Sequence, residues 1–122
     1  MRKKGETMTN ENDATGKKRE EQHVREVNWL PIGSVVMLEA ATRPIMIAGT
    51  MVQDTTTGRY WDYMGYPYPE GRVDPKQDYF FDTETIRTVV QLGFADQDGL
   101  SFQRFLQSNM EKYEHKRNEA TL

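Results

Sequence analysis

The segment VVMLEAATRPIMIAGTMVQDTTTGRYWDYMG, residues 35–65, contains three runs of strand-forming residues with short turn sequences between them. β-Branched and aromatic residues favour strands, whereas proline and glycine favour turns. The first two runs, residues 35–38 and 45–52, are close enough in sequence to pair as an antiparallel hairpin. Gly49 lies inside the second run, where it predicts a bulge or bend.

The sequence on either side of this hairpin adds further strands. The loop DTTTG, residues 54–58, leads into a third strand at residues 59–65. Further along the chain, residues 79–81 form a short apolar run, and TVVQLGF, residues 88–94, is again rich in strand-forming residues. Asp82 can cap a single helical turn between these two runs. We therefore expect a meander of four or five antiparallel strands.

The C-terminal part of the sequence has the periodicity of an amphipathic helix. Apolar residues recur there at spacings of three and four, which places them on one helical face. They are Leu100, Phe102, Phe105, Leu106, Met110 and Tyr113. Asp98 or Ser101 can cap the start of this helix, and basic residues near its end suit the helix dipole.

Together these patterns predict an α+β fold. Its sheet is expected to be small, strongly bent and antiparallel, with four or five strands, a barrel-like tendency and one C-terminal amphipathic helix. The domain is predicted to span residues 29–117. Residues 1–28 are polar and lack a sustained apolar period, so we expect a disordered or partly helical N-terminal tail. Residues 118–122 are expected to form a frayed C-terminus.

Composition restricts the class of protein. The net charge is −3, and an acidic balance argues against binding to nucleic acid or to an anionic membrane surface. The chain has no cysteine, which excludes disulfides and thiolate metal sites. The longest mostly apolar run, residues 30–52, is interrupted by prolines and charged residues, so we expect no membrane insertion. These features predict a cytoplasmic protein.

The sequence contains no pattern typical of a catalytic or metal-binding site. The two histidines, His23 and His115, have no companions at metal-ligand spacing. No nucleophile elbow or phosphate-binding glycine motif occurs in the sequence. A hydrolase would need two carboxylates in one cleft, for which Asp62, Glu70 and Asp78 are the candidates. We expect no catalytic, cofactor-binding or metal-binding residues, and no enzyme activity.

The segment RYWDYMGYPYPEGR, residues 59–72, is the candidate binding surface. Alternation along a strand sends its large aromatic residues to both faces of the sheet, so some belong to the core while others stay accessible. Tyrosine, tryptophan and arginine often anchor protein interfaces. The predicted protein-binding residues are Trp61, Tyr66, Tyr68, Glu70 and Arg72. A purely structural role in the core remains the alternative for these aromatic residues.

Four ordered motifs resemble a known family. They are LPIGSVVML, PIMIAG, DYMGYPYPEG and the run from FFDTETI to LGF. They are similar to those of small bacterial proteins classed as a domain of unknown function, number 4176. The resemblance covers about residues 29–108, and it implies no catalytic residues.

The same resemblance implies a biological setting. Members are typically encoded in Gram-positive bacteria near type VII secretion genes, often beside toxins with an LXG targeting domain. The expected function is thus a non-catalytic accessory protein, an adaptor or chaperone, that binds an LXG-type effector or its small helical partners. An immunity protein that neutralises a neighbouring toxin is the alternative, and a small hydrolase or nucleotide-binding enzyme is the third hypothesis.

Overall fold

A computed structural model describes residues 24–121, together with the backbone of residues 2–3 and 5–6. The strands are β1 Arg2–Lys3, β2 Gly5–Glu6, β3 Val35–Leu38, β4 Ile45–Gln53, β5 Tyr60–Pro67, β6 Tyr79–Phe81 and β7 Ile86–Gln91. The helices are α1 Gln97–Ser108 and α2 Met110–Ala120, and two 3-10 turns span Pro75–Gln77 and Thr83–Thr85. β1 and β2 form a separate parallel pair. The tail predicted for residues 1–28 falls mostly outside the described residues.

Five strands form one antiparallel sheet in the order β6-β5-β4-β3-β7, which confirms the α+β prediction. The sheet is open, because β6 and β7 are edges that do not pair with each other in residues 24–121. It therefore does not close into a barrel. The predicted irregularity at Gly49 is confirmed, since the β4–β5 register shifts between Ile47 and Gly49.

The last strand ends earlier than the sequence pattern indicated. β7 ends at Gln91, whereas the strand-like residues continue to Phe94. The N–H of Gly93 donates to the side-chain hydroxyl of Ser34 at 2.9 Å. This N–H group is therefore not used in a backbone hydrogen bond between strands. Residues 92–94 therefore lie beyond the sheet, and Phe94 is 84% exposed.

The C-terminal segment forms two helices where one was predicted. The helical pattern breaks at Asn109, whose φ of −107° and ψ of 10° lie outside the helical region. Its side-chain amide donates to the carbonyl of Phe105 at 2.8 Å. A side chain that takes a backbone carbonyl in this way competes with the regular helical ladder. α1 and α2 consequently meet at a one-residue interruption.

The buried core joins the sheet, the helices and the N-terminal segment. Its members are Val27, Trp29, Val36, Ile45, Ile47, Tyr63, Phe81, Leu106, Met110 and Tyr113. The ring of Trp29 packs edge-on against those of Tyr63 and Tyr113, with centroids 5.5 and 6.0 Å apart. The packed part of the chain thus begins before residue 29, because Val27 is also buried.

Candidate functional site

An ionic cluster surrounds Asp62, whose side chain is fully buried. Arg25 approaches it with both terminal nitrogens, at 2.7 and 3.1 Å. The backbone N–H of Thr83 donates to the same carboxylate at 2.9 Å, and the hydroxyl of Tyr113 donates at 2.8 Å. Arg25 also pairs with Glu114, so the cluster connects the N-terminal segment, β5 and α2.

These contacts decide the ionisation of Asp62. Burial by itself would raise the pKa of Asp62, but hydrogen bonds from Arg25, Thr83 and Tyr113 outweigh it and hold the pKa below its usual value. Burial and the neighbouring Asp62 carboxylate raise the pKa of Tyr113. Asp62 is therefore charged, and its hydrogen bonds are made to other groups of the fold. This environment indicates a structural role.

The three carboxylates considered for a hydrolase occupy different environments. Asp62 is buried against Arg25, whereas Glu70 pairs with Arg43 at the surface. Asp78 pairs with Arg72 at 3.3 Å. The structure does not bring Asp62, Glu70 and Asp78 into the one cleft that paired acid–base chemistry requires.

The predicted binding residues divide into two groups. Trp61 lies near the start of β5, opposite Val52, with the guanidinium of Arg59 4.8 Å from the ring centroid. Tyr66 is half-buried near the other end of β5, opposite Met46. Seven strand residues span roughly 23 Å, so Trp61 is far from Tyr68. The structure therefore does not bring Trp61 to the same place as the residues that follow Tyr66.

Residues 66–72, called here the 66–72 loop, begin with the last two residues of β5 and are held at several points. β5 thus runs two residues beyond the strand predicted for residues 59–65. The N–H of Tyr68 donates to the carbonyl of Pro44 at 3.0 Å, and that of Gly71 donates to Pro67 at 2.8 Å. Arg43 donates to the Tyr68 carbonyl at 3.0 Å. Tyr68 itself remains 51% exposed. An accessible aromatic side chain is thus presented by an ordered backbone.

Two ion pairs complete this loop. Arg43 pairs with Glu70, and its hydrogen bond lowers the pKa of the Glu70 carboxyl. Arg72 pairs with Asp78 from the segment before β6. Both pairs are largely exposed, and exposed pairs contribute little to stability. They instead fix the direction in which Glu70 and Arg72 project.

A groove of about 510 Å³ lies beside the 66–72 loop. Its lining includes Leu38, Ile45, Pro67, Val73 and Tyr79, with Arg43 and Glu70 as charged members. Strand register explains its position, because Ile45 opposes Pro67 and Gly65 opposes Tyr79 on the face that carries the core. None of its lining residues comes from α1 or α2. The groove is therefore the end of the core face that the helices leave open.

Several residues of the groove were missed by sequence reasoning. The sequence pattern predicts a turn at Arg43, a loop at Val73 and a strand at Tyr79. Val73 is 71% exposed, so its apolar side chain is accessible beside the concave surface. The β4–β5 hairpin already implied that the start of β4 lies beside the end of β5. Because Arg43 comes just before β4, this pairing indicates that it lies beside residues 66–72.

Two further features of the described residues bear on the class of protein. Residues 24–121 contain no group of three acidic or histidine side chains placed to hold a metal ion. Within the same part of the chain, neither helix has the length and apolar character needed to cross a bilayer. The fold and the groove define a small α+β domain with an apolar-lined surface depression.

The family follows from comparison with known proteins. A family model described as domain of unknown function (DUF4176) matches residues 29–102. The chain therefore belongs to the DUF4176 family. Searches of curated proteins and of solved structures found no match.

Proposed function

We propose that this protein is a non-catalytic binding module that holds a segment of another protein in the groove beside the 66–72 loop. The observation that carries this proposal is the combination of an apolar groove lining with an ordered loop at its rim, the 66–72 loop. Val73 and Tyr79 are 71% and 42% exposed, so their apolar surface is accessible. Burying such surface is the main favourable term in protein association.

The order of the rim increases the affinity that this surface can provide. Binding loses free energy when a mobile loop must be fixed. In the 66–72 loop, Arg43 and the Gly71 hydrogen bond fix the backbone before a partner arrives. Tyr68 adds an exposed aromatic side chain, and tyrosine is enriched among the residues that dominate interface energies.

The groove indicates the chemistry of its occupant. Apolar residues form most of the lining, and the two charged members, Arg43 and Glu70, already pair with each other. The occupant is a segment that inserts apolar side chains and needs no net charge. Together with the motif resemblance, this supports an adaptor or chaperone that handles a type VII effector or its small helical partners.

Affinity capture tests the groove. Wild-type protein and the Val73→Asp variant are used as baits in extracts of the native host, and Val90→Asp serves as the control. Val90 is 56% exposed on β7, so the control adds the same charge outside the groove lining. A partner identified by mass spectrometry is then purified, and its affinity for all three proteins is measured. The proposal requires Val73→Asp alone to weaken binding at least tenfold.

The immunity alternative gives a different result in cells. Residues 29–122 hold nine basic and thirteen acidic residues, and such an acidic balance could mask a basic toxin surface. Co-expression with the toxin domain alone separates the two functions. An immunity protein restores growth in that experiment, whereas an adaptor requires the targeting domain of the effector.

A further inference from the structure

A stripe of five side chains runs along the outer side of the two helices. Its members are Phe102, Phe105, Asn109, Lys112 and Lys116, here called the outer stripe. Their spacing of three, four, three and four places them on one side of a nearly continuous helix. The buried residues Leu106, Met110 and Tyr113 follow a separate stripe that faces the core. The helices thus have an inner apolar stripe and a separate, accessible outer stripe.

The N-terminal half of the outer stripe is apolar and accessible. Phe102 and Phe105 are 45% and 58% exposed. Their rings stack with centroids 6.1 Å apart and an interplanar angle of 24°. Each ring thus shields part of the other, yet about half of each side chain remains in water. A second apolar surface laid over this pair would bury both rings.

A cavity of about 200 Å³ lies beside Phe105. Met51 and Tyr60 from the β4–β5 hairpin line it, together with Phe105 from α1. Met51 has a φ of 50°, a left-handed conformation that non-glycine residues seldom adopt. Methionine also adjusts its shape readily to different neighbours. The cavity can therefore accept an apolar side chain inserted between the hairpin and α1.

The C-terminal half of the outer stripe is basic. Lys112 and Lys116 line the same cavity and are exposed. Within residues 24–121 neither lysine forms an ion pair, whereas Arg117 pairs with Asp82 at 2.8 Å. Two adjacent ammonium groups without an ion pair in the described part of the chain favour a carboxylate-bearing occupant. This local charge is opposite to the net charge of the protein.

The same pattern disfavours a second copy of this chain as the occupant. Two outer stripes aligned in parallel would set Lys112 against its own copy, and like charges across an interface are unfavourable. Antiparallel alignment would place the lysines against the phenylalanines of the other copy. Neither arrangement supplies a carboxylate to Lys112 or Lys116. The complementary surface is apolar at one end and acidic at the other.

We propose that the outer stripe binds an amphipathic helix of a partner protein, with apolar side chains over Phe102 and Phe105 and carboxylates beside Lys112 and Lys116. An apolar residue of that helix enters the cavity at Met51. Helices commonly dock in this way through anchors spaced three and four residues apart. This surface is separate from the groove, so the inference does not depend on the function proposed there.

A binding experiment with designed peptides tests the outer stripe. The probe is a fluorescent helical peptide with leucine at every first and fourth heptad position and glutamate on the flanks of that seam. A matched peptide carries lysine in place of each glutamate. Fluorescence anisotropy measures the affinity of both peptides for the full-length protein at two salt concentrations. We expect the acidic peptide to bind at least tenfold more tightly than the basic one, and less tightly at high salt.

Variants then assign the binding to the stripe. Lys112→Glu with Lys116→Glu should weaken the acidic peptide at least tenfold and strengthen the basic one. Phe105→Ser should weaken both peptides. Lys76→Glu changes an exposed lysine outside both helices and should leave both affinities unchanged.

Three outcomes would overturn the proposal. They are failure of the acidic peptide to bind the wild-type protein, an equal effect of the Lys76 and Lys112/Lys116 changes, and a concentration-dependent dimer that Phe105→Ser abolishes. The last result would assign the stripe to a second copy. The changed side chains are exposed, so we expect each variant to retain the fold. Circular dichroism of each variant checks this.

Discussion

The Nη2 atom of Arg25 lies 2.7 Å from Oδ1 of Asp62, which links the N-terminal segment to the first half of β5. The same guanidinium reaches Glu84, before β7, and Glu114, in α2. One partly buried side chain thus connects four parts of the chain. Asp62 is fully buried, so it depends on these contacts to remain charged inside the fold.

Replacing Arg25 with methionine should destabilise the protein. The substitution keeps much of the side-chain length but removes the closer of the two guanidinium groups that face Asp62, because Arg117 lies 3.5 Å from the same carboxylate. A buried charge that loses its partner is strongly unfavourable, so we expect the free energy of unfolding to fall by about 2–4 kcal/mol. Urea denaturation followed by circular dichroism measures this loss. The control Arg104→Met alters an exposed arginine and should change stability by less than about 0.5 kcal/mol. Equal losses in both variants would show that the cluster contributes nothing specific.

Asp62 should also give the protein a defined sensitivity to acid. Its pKa is lower in the folded protein than in the unfolded chain, where it returns to about 3.9. Between those two values the unfolded chain binds more protons, so lowering the pH favours unfolding. The stabilising contribution is present in full above the unfolded pKa and is lost as the pH falls through the folded pKa.

The substitution Asp62→Asn tests this linkage. The variant should be less stable than the wild type near neutral pH, and its stability should depend less on pH below about 4. Denaturation midpoints measured between pH 2 and pH 7 give the slope of stability against pH for the wild type and for the variant. Asp98→Asn, an exposed change in the first turn of α1, should leave the acid slope of the wild type. If the Asp62→Asn variant has the same slope as the wild type, Asp62 is not the origin of the acid sensitivity.

Gly93 should tolerate no larger residue. A Cβ atom there would overlap the carbonyl oxygen of Ile32 and would lie 2.8 Å from the backbone nitrogen of Ser34. Both neighbours are backbone atoms, so relief requires moving the chain itself. We expect Gly93→Ala to lower the free energy of unfolding by at least about 2 kcal/mol.

Gly99 provides the matched control, because its added Cβ would meet nothing closer than 3.6 Å. Alanine also favours a helix over glycine, so Gly99→Ala should be neutral or raise stability by up to about 1 kcal/mol. Thermal unfolding of both variants gives the comparison. Similar melting temperatures would mean that the contact at Gly93 relaxes without cost.

The strands were predictable from sequence because local patterns specify them. Residues 35–38 and 79–81 have the predicted limits, and the bulge at Gly49 follows from a glycine inside an apolar run. The end of β7 and the helix break at Asn109 were not predictable in this way. β7 ends where the backbone N–H of Gly93 donates to the hydroxyl of Ser34. The helix breaks where the side-chain amide of Asn109 donates to the carbonyl of Phe105.

The candidate site was only partly predictable for a related reason. The 66–72 loop has a turn-rich sequence, and the structure places Tyr68, Glu70 and Arg72 at the surface. Trp61 is near these residues in sequence, which predicts a shared surface, but the direction of β5 separates it from them. The role of Arg25 could not be read from the sequence either, since its partners lie 37 to 89 positions away.

Removing the Arg43 side chain should loosen the 66–72 loop without unfolding the domain. Arg43 holds the carbonyl of Tyr68 and pairs with Glu70, while the Gly71 N–H donates to Pro67. Exposed ion pairs contribute little to stability, so Arg43→Ala should shift the melting temperature by a few degrees at most. Local opening should become easier, and the Gly71 amide should exchange with solvent about fivefold faster.

Hydrogen exchange followed by NMR measures that amide directly, and Arg87→Ala is the control. Arg87 is an exposed arginine on β7 and forms no ion pair within residues 24–121. Faster exchange in the Arg43 variant alone would show that this side chain keeps the rim of the groove ordered. A partner captured by the groove should then bind that variant more weakly, because binding would have to order the loop. Unchanged Gly71 exchange would instead mean that the backbone holds the loop without Arg43.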